Sequence, residues 1–272
     1  MKRLAINADD FGFTSDVNAG IVRAHREGVL TSTTLMANGA AFEDAVRLAF
    51  ETPALDIGCH LVLVQGRSLA DGEPLPQTLR DLIVSLARGN LDIYREFRAQ
   101  IEKILAAGIT LTHLDSHKHT HLLPGVFRVV VRLAHEFSIP YVRLPLDSTV
   151  RFAKLPCVLA NRYYRRLARN TNVRMTDHFM GFRLTGSLTE DSFASALASL
   201  PDGATEFMCH PGLLGPELSH APTRLKESRV REFEALTSPR IRELIAAAGV
   251  RLCPFSLLTE PDQIQSAHRR SS

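Results

Sequence analysis

The chain has 272 residues, enough to bury a sizeable core either as one α/β barrel or as two domains. Hydrophobic residues make up 45% of the chain and charged residues 22%, which are ordinary values for a globular protein. The formal net charge of +3 is too small to indicate a nucleic-acid partner, and none is expected.

Apolar, β-branched runs alternate with helical patterns along most of the chain. The runs predict strands at residues 4–8, 31–36, 56–64, 110–115, 140–144, 206–209 and 250–255. The first helix is predicted from about residue 16, with Ser15 as its cap and Gly28 at its end. Further helices are predicted at residues 41–51, 93–107, 126–137 and 190–200. A last one follows Ser238 and Pro239 and ends at Gly249.

Repeated strand–helix units indicate a parallel sheet with right-handed crossovers. About seven strands in this length favour one barrel over a two-domain chain. Residues 66–77 and 212–223 are predicted to be loops over the site. One domain is expected over residues 1–260, followed by a C-terminal tail at residues 261–272.

The cysteines and the N-terminus predict a cytoplasmic protein. Cys59, Cys157, Cys209 and Cys253 form no CxxC pair, and three of them lie in apolar, strand-like runs. Buried free thiols in a reducing compartment are therefore expected. The chain turns polar too soon after Met1 for a signal peptide, and no apolar run approaches the ~20 residues of a membrane-spanning helix.

Residues 113–121 hold four of the eleven histidines and one aspartate, directly after a predicted strand. Side-chain alternation places His113, Asp115 and His117 on one face, where Asp115 can orient a histidine and is expected to lie behind His117. His119 and His121 are expected to face substrate or solvent. Such a density of titratable groups is typical of a metal or substrate site.

Three more polar groups follow predicted strands elsewhere in the chain: the Asp9–Asp10 pair, His60 and His210. The carboxyl ends of parallel strands meet at one edge, where the sites of α/β proteins lie. Adjacent carboxylates should point to different sides, so that one binds a cation and the other stays free as a base.

Each of these groups also has a structural interpretation. The Asp9–Asp10 pair suits a helix cap with a turn, and His60 suits a satisfied core histidine. His210, at a Pro-Gly turn, suits a general acid whose pKa lies near neutrality or a plain turn residue. Arg143 ends another strand, where it pairs with the free carboxylate or forms a structural ion pair.

An aspartate and two histidines would give a metal ion three protein ligands. One coordination position would then stay open for water, as a catalytic metal site requires. The bound water has a lowered pKa, and the cation polarises a carbonyl oxygen. With a free carboxylate as base and a histidine as acid, the pattern predicts hydrolysis of an amide or ester.

Five short motifs together resemble the YdjC/ChbG carbohydrate deacetylases. They are NADDFG at 7–12, TSTT with NG at 31–34 and 38–39, GCHL at 58–61, THLDSH at 112–117 and MCHPG at 208–212. The similarity runs in order from Arg3 to about Leu258. Within the family, the basic stretch 161–174, TDHFMGF at 176–182 and PFSLL at 254–258 look most like HpnK, the hopanoid-biosynthesis-associated member.

The resemblance implies an irregular (β/α) TIM-like barrel, mostly of parallel strands in a single domain. It implies one divalent metal ion, Zn²⁺ or Mg²⁺, on Asp10, His60 and His117, with Asp9 as base and His210 as acid. Asp115, Arg143 and His121 are then expected to contact the metal ligands from behind or to bind substrate. The implied reaction removes the acetyl group from an N-acetylated sugar, with the glycosyl head group of a hopanoid lipid as the specific expectation.

The expected partners are this sugar or glycolipid and a second copy of the chain as a homodimer. The region from Arg162 to Arg169 places four arginines on one broad helix face, which suits a peripheral contact with the inner membrane face. An ordinary solvated helix face fits this pattern equally well.

Two other functions fit the same residues. A phosphoesterase with two metal ions would also use His119 and His121 as ligands. A non-catalytic sugar- or lipid-binding protein would need no base, metal ligand and acid together, so Asp9, Asp10 and His210 argue against it.

Overall fold

A computed structural model of the chain describes residues 1–146 and 154–258, and of residues 154–158 it describes the backbone alone. The expected tail at residues 261–272 lies outside this described part. Among the described residues, no helix combines the length and the apolar character needed to cross a membrane.

Eight strands form one parallel sheet in the described part of the chain. They are β1 Lys2–Phe11, β2 Ser32–Leu35, β3 Asp56–Leu61, β4 His113–Ser116, β5 Tyr141–Val142, β6 His178–Met180, β7 Gly203–Cys209 and β8 Arg251–Leu252. Their order is β5-β4-β3-β2-β1-β7-β6, with β8 beside the start of β1. The sheet curls without pairing its two outer strands in the described residues, which confirms the irregular (β/α) TIM-like barrel of a single α/β domain.

Helices cover the sheet between successive strands. They are α1 Ser15–Glu27, α2 Phe42–Phe50, α3 Leu79–Ala87, α4 Ile93–Ala106, α5 Pro124–Glu136, α6 Lys154–Leu167, α7 Glu190–Ala198, α8 Pro216–His220, α9 Glu227–Thr237 and α10 Pro239–Ala247. Short 3-10 helices occupy His117–Leu122, Phe182–Leu184 and Phe255–Leu257.

Most predicted elements are present, with three differences. The cap of α1 is Thr14 rather than Ser15, because Thr14 keeps an extended backbone and its side chain accepts a hydrogen bond from the Val17 N–H. Residues 212–223 are not all loop, since they contain α8. Strand β6 and helices α3 and α9 were not predicted, whereas α6 overlaps the helix expected from Arg162 to Arg169.

The residues of β1 from Leu4 to Phe11 are all buried. Leu4, Ile6 and Ala8 belong to the large core between sheet and helices, whereas Ala5 belongs to a smaller cluster with Tyr141 and Phe255. Strand alternation therefore turns Ala5, Asn7 and Asp9 toward the other face of the sheet, which is the interior of the barrel.

Candidate metal and catalytic site

The four predicted polar groups meet at the carboxyl ends of the strands. They surround a cavity of about 610 Å³, whose lining includes Asp9, Asp10, His60, His117, His119, His210 and Arg229. The cavity is mixed in character, because Phe13, Phe182 and Leu225 also line it. The sequence-based expectation of one site built from distant segments is thus consistent with the geometry.

Asp9 and Asp10 both line this cavity, although adjacent residues of a regular strand point to opposite faces. The β1–β2 register shifts between Ala8 and Phe11, and Asp10 has a left-handed backbone with φ of 72°. A bulge of this kind redirects one side chain, so the expectation that the two carboxylates point to different sides is wrong.

Asp10, His60 and His117 form a group of possible metal ligands, whose donor atoms lie within 4.8 Å of one another. Asp10 Oδ1 lies 3.4 Å from His60 Nε2 and 3.2 Å from His117 Nδ1. Yet this buried oxygen accepts no hydrogen bond of good geometry among the described residues. A buried anionic oxygen facing two imidazole nitrogens fits a divalent cation, which would take one lone pair from each of the three atoms.

Asp115 orients His60, not His117. Its Oδ1 lies 2.7 Å from His60 Nδ1, and Thr34 donates a hydrogen bond to its Oδ2 at 3.1 Å. The β3–β4 register places His60 directly beside Asp115. The prediction that Asp115 stands behind His117 is therefore wrong, because cross-strand pairing outweighs proximity along the chain. With Nδ1 held by Asp115, Nε2 is the nitrogen that faces Asp10.

His60 carries a strongly shifted pKa in the protein without metal. Burial disfavours its charged form, but the carboxylates of Asp115 and Asp10 outweigh burial and raise the pKa to about 10. At neutral pH both ring nitrogens of His60 therefore carry a proton. A metal ion that binds Nε2 would displace the proton on that nitrogen. Metal binding should therefore release a proton and strengthen as the pH rises.

Arg143 lies at the centre of a buried charge network and contacts three carboxylates. It donates to both oxygens of Asp9, at 2.7 and 2.8 Å, and contacts Asp115 at 2.7 Å and Glu206 at 2.6 Å. Burial works against the charge on Asp9, but Arg143 outweighs it and holds the pKa of Asp9 well below its usual range. Both sequence-based interpretations of Arg143 apply, since it pairs with Asp9 and also forms structural ion pairs.

A second group of possible ligands, formed by Asp9, His60 and Asp115, fits a metal less well. The Arg143 guanidinium already occupies the space between Asp9 and Asp115, at 2.7 Å from each. A cation there would meet another cation instead of free lone pairs. The donor set of Asp10, His60 and His117 is the one that fits.

Arg229 and Glu232 from α9 support the site, and sequence analysis missed both. Arg229 Nη2 hydrogen-bonds Asp10 Oδ2, and Glu232 accepts a hydrogen bond from the backbone N–H of His210. Both side chains are 1% exposed. The buried face of α9 is largely polar, so the search for apolar periodicity gave no signal for this helix.

His210 also lines the cavity, close to Asp9. Its Nε2 is 3.9 Å from Asp9 Oδ2, and its buried Nδ1 has no hydrogen-bond partner in the described part of the chain. Burial lowers its pKa to about 4, against the opposing charges of Asp9 and Asp10. The expectation of a pKa near neutrality is thus wrong for the protein without metal and substrate, in which this imidazole is neutral.

Comparison with known proteins decides the family. The family described as YdjC-like protein matches residues 3–247. The chain belongs to the YdjC family. A Brevibacillus brevis protein named carbohydrate deacetylase is 37% identical over 94% of this chain and 99% of its own length. A Yersinia enterocolitica protein named chitooligosaccharide deacetylase is 35% identical over 94% of this chain and 98% of its own length.

A solved structure shares this YdjC architecture. It is an Enterococcus faecalis protein described as a candidate cellobiose-phosphate cleavage protein, which is 27% identical. The superposition has a TM-score of 0.78 and covers 94% of this chain and 98% of the other. The likeness therefore extends over the whole barrel and is not confined to the motifs.

The histidines near His117 have separate positions in this YdjC protein. His121 is fully buried, where its ring nitrogens contact the Ser116 hydroxyl and, at 3.1 Å, the Arg143 carbonyl oxygen. The expectation that His121 faces substrate or solvent is wrong, because the turn after β4 folds it inward. His113 is equally buried, with Nε2 2.9 Å from Asn7 Oδ1 and its ring stacked on Phe255.

His119 faces the cavity. It lines the cavity beside Phe182, at 5.1 Å between ring centroids, and its buried Nδ1 has no hydrogen-bond partner among the described residues. Lys118 and His119 both have left-handed backbones, with φ of 53° and 51°, and this kink accompanies the cavity-lining position of His119. Neither group of possible metal ligands in the described residues includes His119 or His121.

Proposed function

We propose that this protein is a metal-dependent carbohydrate N-deacetylase, a hydrolase that cleaves a carbon–nitrogen bond other than a peptide bond. The observation that carries the proposal is the buried Asp10 Oδ1, which faces two imidazole nitrogens while a second carboxylate, Asp9, lies beside it. Names of relatives that match nearly the full chain support the reaction class and an acetylated carbohydrate substrate.

Asp10, His60 and His117 would hold one divalent cation. When bound, such an ion lowers the pKa of water and polarises an acetyl carbonyl. Two imidazoles with one carboxylate favour Zn²⁺ over Mg²⁺. Arg229 restrains the other oxygen of Asp10, so that Oδ1 stays directed at the two imidazoles.

Asp9 is proposed as the base. Arg143 keeps it ionised, so it can accept a proton from the attacking water at neutral pH. Asp9 is proposed to pass this proton to neutral His210, whose Nε2 lies 3.9 Å from Asp9 Oδ2. The resulting imidazolium then gives a proton to the leaving amine nitrogen as the carbon–nitrogen bond breaks, and acetate and the free amine are released.

The finer proposal for the substrate is the glycosyl head group of a hopanoid lipid. It rests on the motifs shared with HpnK and on exposed arginines near α6, namely Arg162, Arg166 and Arg169. Arg165 does not join this exposed set, because its guanidinium donates to the Thr176 carbonyl oxygen at 2.7 Å. The predicted membrane contact therefore rests on three arginines instead of four.

Acetate release from N-acetylglucosaminyl substrates tests the proposal. Activity should be lost in Asp9→Asn and His117→Ala and retained in His135→Ala, a matched change at an exposed histidine. Metal analysis should find one ion per chain, with the ion lost in His117→Ala and kept in Asp9→Asn. Full activity in either site variant would remove the role assigned to that residue.

The same experiment separates the other functions. Two bound ions per chain would favour a phosphoesterase, although His119 and His121 belong to neither group of possible ligands. Tight sugar binding without acetate release would favour a non-catalytic binding protein. Comparing an acetylated hopanoid glycolipid with a chitooligosaccharide would decide the finer substrate.

A further inference from the structure

A second cleft opens at the opposite end of the barrel from the candidate metal ligands. It has a volume of about 430 Å³, and its lining includes Arg3 near the start of β1, Tyr141 at the start of β5 and Ala204 near the start of β7. Asp9 lies further along β1 by a distance of roughly 20 Å, at ~3.3 Å per residue. A ligand in this cleft would therefore be remote from the proposed deacetylation.

Four arginines line this second cleft, which is called the arginine cleft below: Arg3, Arg165, Arg169 and Arg174. The one carboxylate in the lining is Asp177, whose Oδ2 accepts a hydrogen bond from the Ala204 N–H at 2.9 Å. Among the described residues, no ion pair joins Asp177 to any of the four arginines. The arginine cleft thus carries an excess of positive charge.

Two of the arginines are held in place by neutral acceptors. Arg3 donates to the Leu258 carbonyl oxygen at 2.6 Å. Arg165 donates to the Asn161 side chain at 2.6 Å and to the Thr176 carbonyl oxygen at 2.7 Å. These contacts orient the guanidinium groups without neutralising them, and each guanidinium has five N–H donors, so several remain for a ligand.

The other two arginines and one hydroxyl have no partner of their own. Arg169 and Arg174 are exposed, and their side chains make no hydrogen bond or ion pair within the described part of the chain. Tyr141 is only 4% exposed, yet its buried hydroxyl also lacks a hydrogen-bond partner there. A buried polar group without a partner is costly, and a bound ligand would relieve that cost.

We propose that the arginine cleft binds a phosphoryl group, carried by a soluble phosphomonoester or by a phospholipid head group. Guanidinium groups match the oxygen geometry of phosphate through paired charge-assisted hydrogen bonds. The Tyr141 hydroxyl adds a neutral donor at the wall of the cleft. Asp177 is already engaged by a backbone N–H and would remain the one opposing charge.

Calorimetry with inorganic phosphate and glycerol 3-phosphate tests the soluble source. Co-sedimentation with phosphatidylcholine vesicles, with and without phosphatidylglycerol, tests the lipid source. The double variant Arg169→Gln/Arg174→Gln should weaken binding by about tenfold or more, since hydrogen bonds to charged groups are lost. Tyr141→Phe removes only the hydroxyl and should weaken binding by about fivefold.

Two matched controls carry the same change of charge. Arg80→Gln/Arg88→Gln lies on and just beyond α3 and serves for all probes. Arg162→Gln/Arg166→Gln lies on α6 outside the cleft lining and serves for the soluble probes only, because both arginines belong to the proposed membrane contact. Saturable binding to either probe class that weakens in the cleft variants and not in the controls supports the proposal and identifies the source. The absence of binding to every probe, or equal weakening in the controls, would overturn it. Acetate release from a soluble N-acetylglucosaminyl substrate should be unchanged in all these variants.

Discussion

Arg143 donates to both oxygens of the Asp9 carboxylate, from Nη2 to Oδ1 at 2.7 Å and from Nη1 to Oδ2 at 2.8 Å. Arg143 does not itself line the cavity at the carboxyl ends of the strands, whereas Asp9 does. The orientation and ionisation of the proposed base therefore depend on a side chain behind it. That side chain also joins Asp9 to Asp115, which contacts His60, so the proposed base and one proposed metal ligand share one support.

Arg143→Lys should lower kcat by about 10²-fold, because a single ammonium cannot hold both oxygens of Asp9 and small misplacements are costly. The pKa of Asp9 should also rise toward its ordinary value. The acid limb of the pH profile of kcat should therefore move to higher pH. Arg132→Lys, at an exposed site, is the control. An unmoved acid limb would show that Arg143 does not set the ionisation of the base.

Asp115→Asn should weaken metal binding by about 10- to 100-fold, because His60 loses the carboxylate that fixes its ring. The stoichiometry should stay at one ion per chain, since the three proposed ligands remain. Metal titration by calorimetry measures this change, with Asp202→Asn at an 81% exposed side chain as the control. Unchanged affinity would mean that Asp115 serves Arg143 alone.

His119→Ala and His121→Ala should have different effects, one on substrate binding and the other on stability, although the residues are only two positions apart. His121→Ala should lower the free energy of unfolding by about 2–4 kcal/mol, because a buried imidazole and its two contacts are lost. His119→Ala should raise KM by about tenfold with little change in stability, since His119 faces the cavity. Chemical denaturation and steady-state kinetics measure the two effects. A reversed pattern would contradict the assigned positions.

Glu206→Gln should change how stability depends on pH. Burial raises the pKa of Glu206 from 4.5 to about 7, with Arg143 opposing. The folded protein therefore retains a proton that the unfolded chain has released, so this contribution to stability is full below about pH 4.5 and declines until about pH 7. From pH 5 to pH 8, the wild type should lose about 2 kcal/mol relative to the variant.

Denaturant titrations of the metal-free proteins at several pH values measure this difference. Glu102→Gln, at a half-exposed side chain, is the matched control and should follow the wild type. Parallel stability curves for Glu206→Gln and the wild type would show that Glu206 is ionised throughout.

The sequence alone determined which segments meet at the site. Asp10, His60 and His117 each follow or end an apolar strand, and parallel strands bring their carboxyl ends to one edge whatever the loops between them. The barrel class followed from the same alternation of strands and helices. These features depend on the local periodicity of apolar residues and on the direction of the chain, and both can be determined from a single sequence.

Only the tertiary structure decided which side chains each polar residue of the candidate site contacts. Asp115 orients His60 and not His117 because strand register sets cross-strand neighbours. A bulge with a left-handed Asp10 brings two adjacent carboxylates into one cavity. Arg229 reaches Asp10 from α9, across 219 positions of sequence. Local pattern carries no information about such contacts, because they depend on register, on a break in strand alternation and on helix packing.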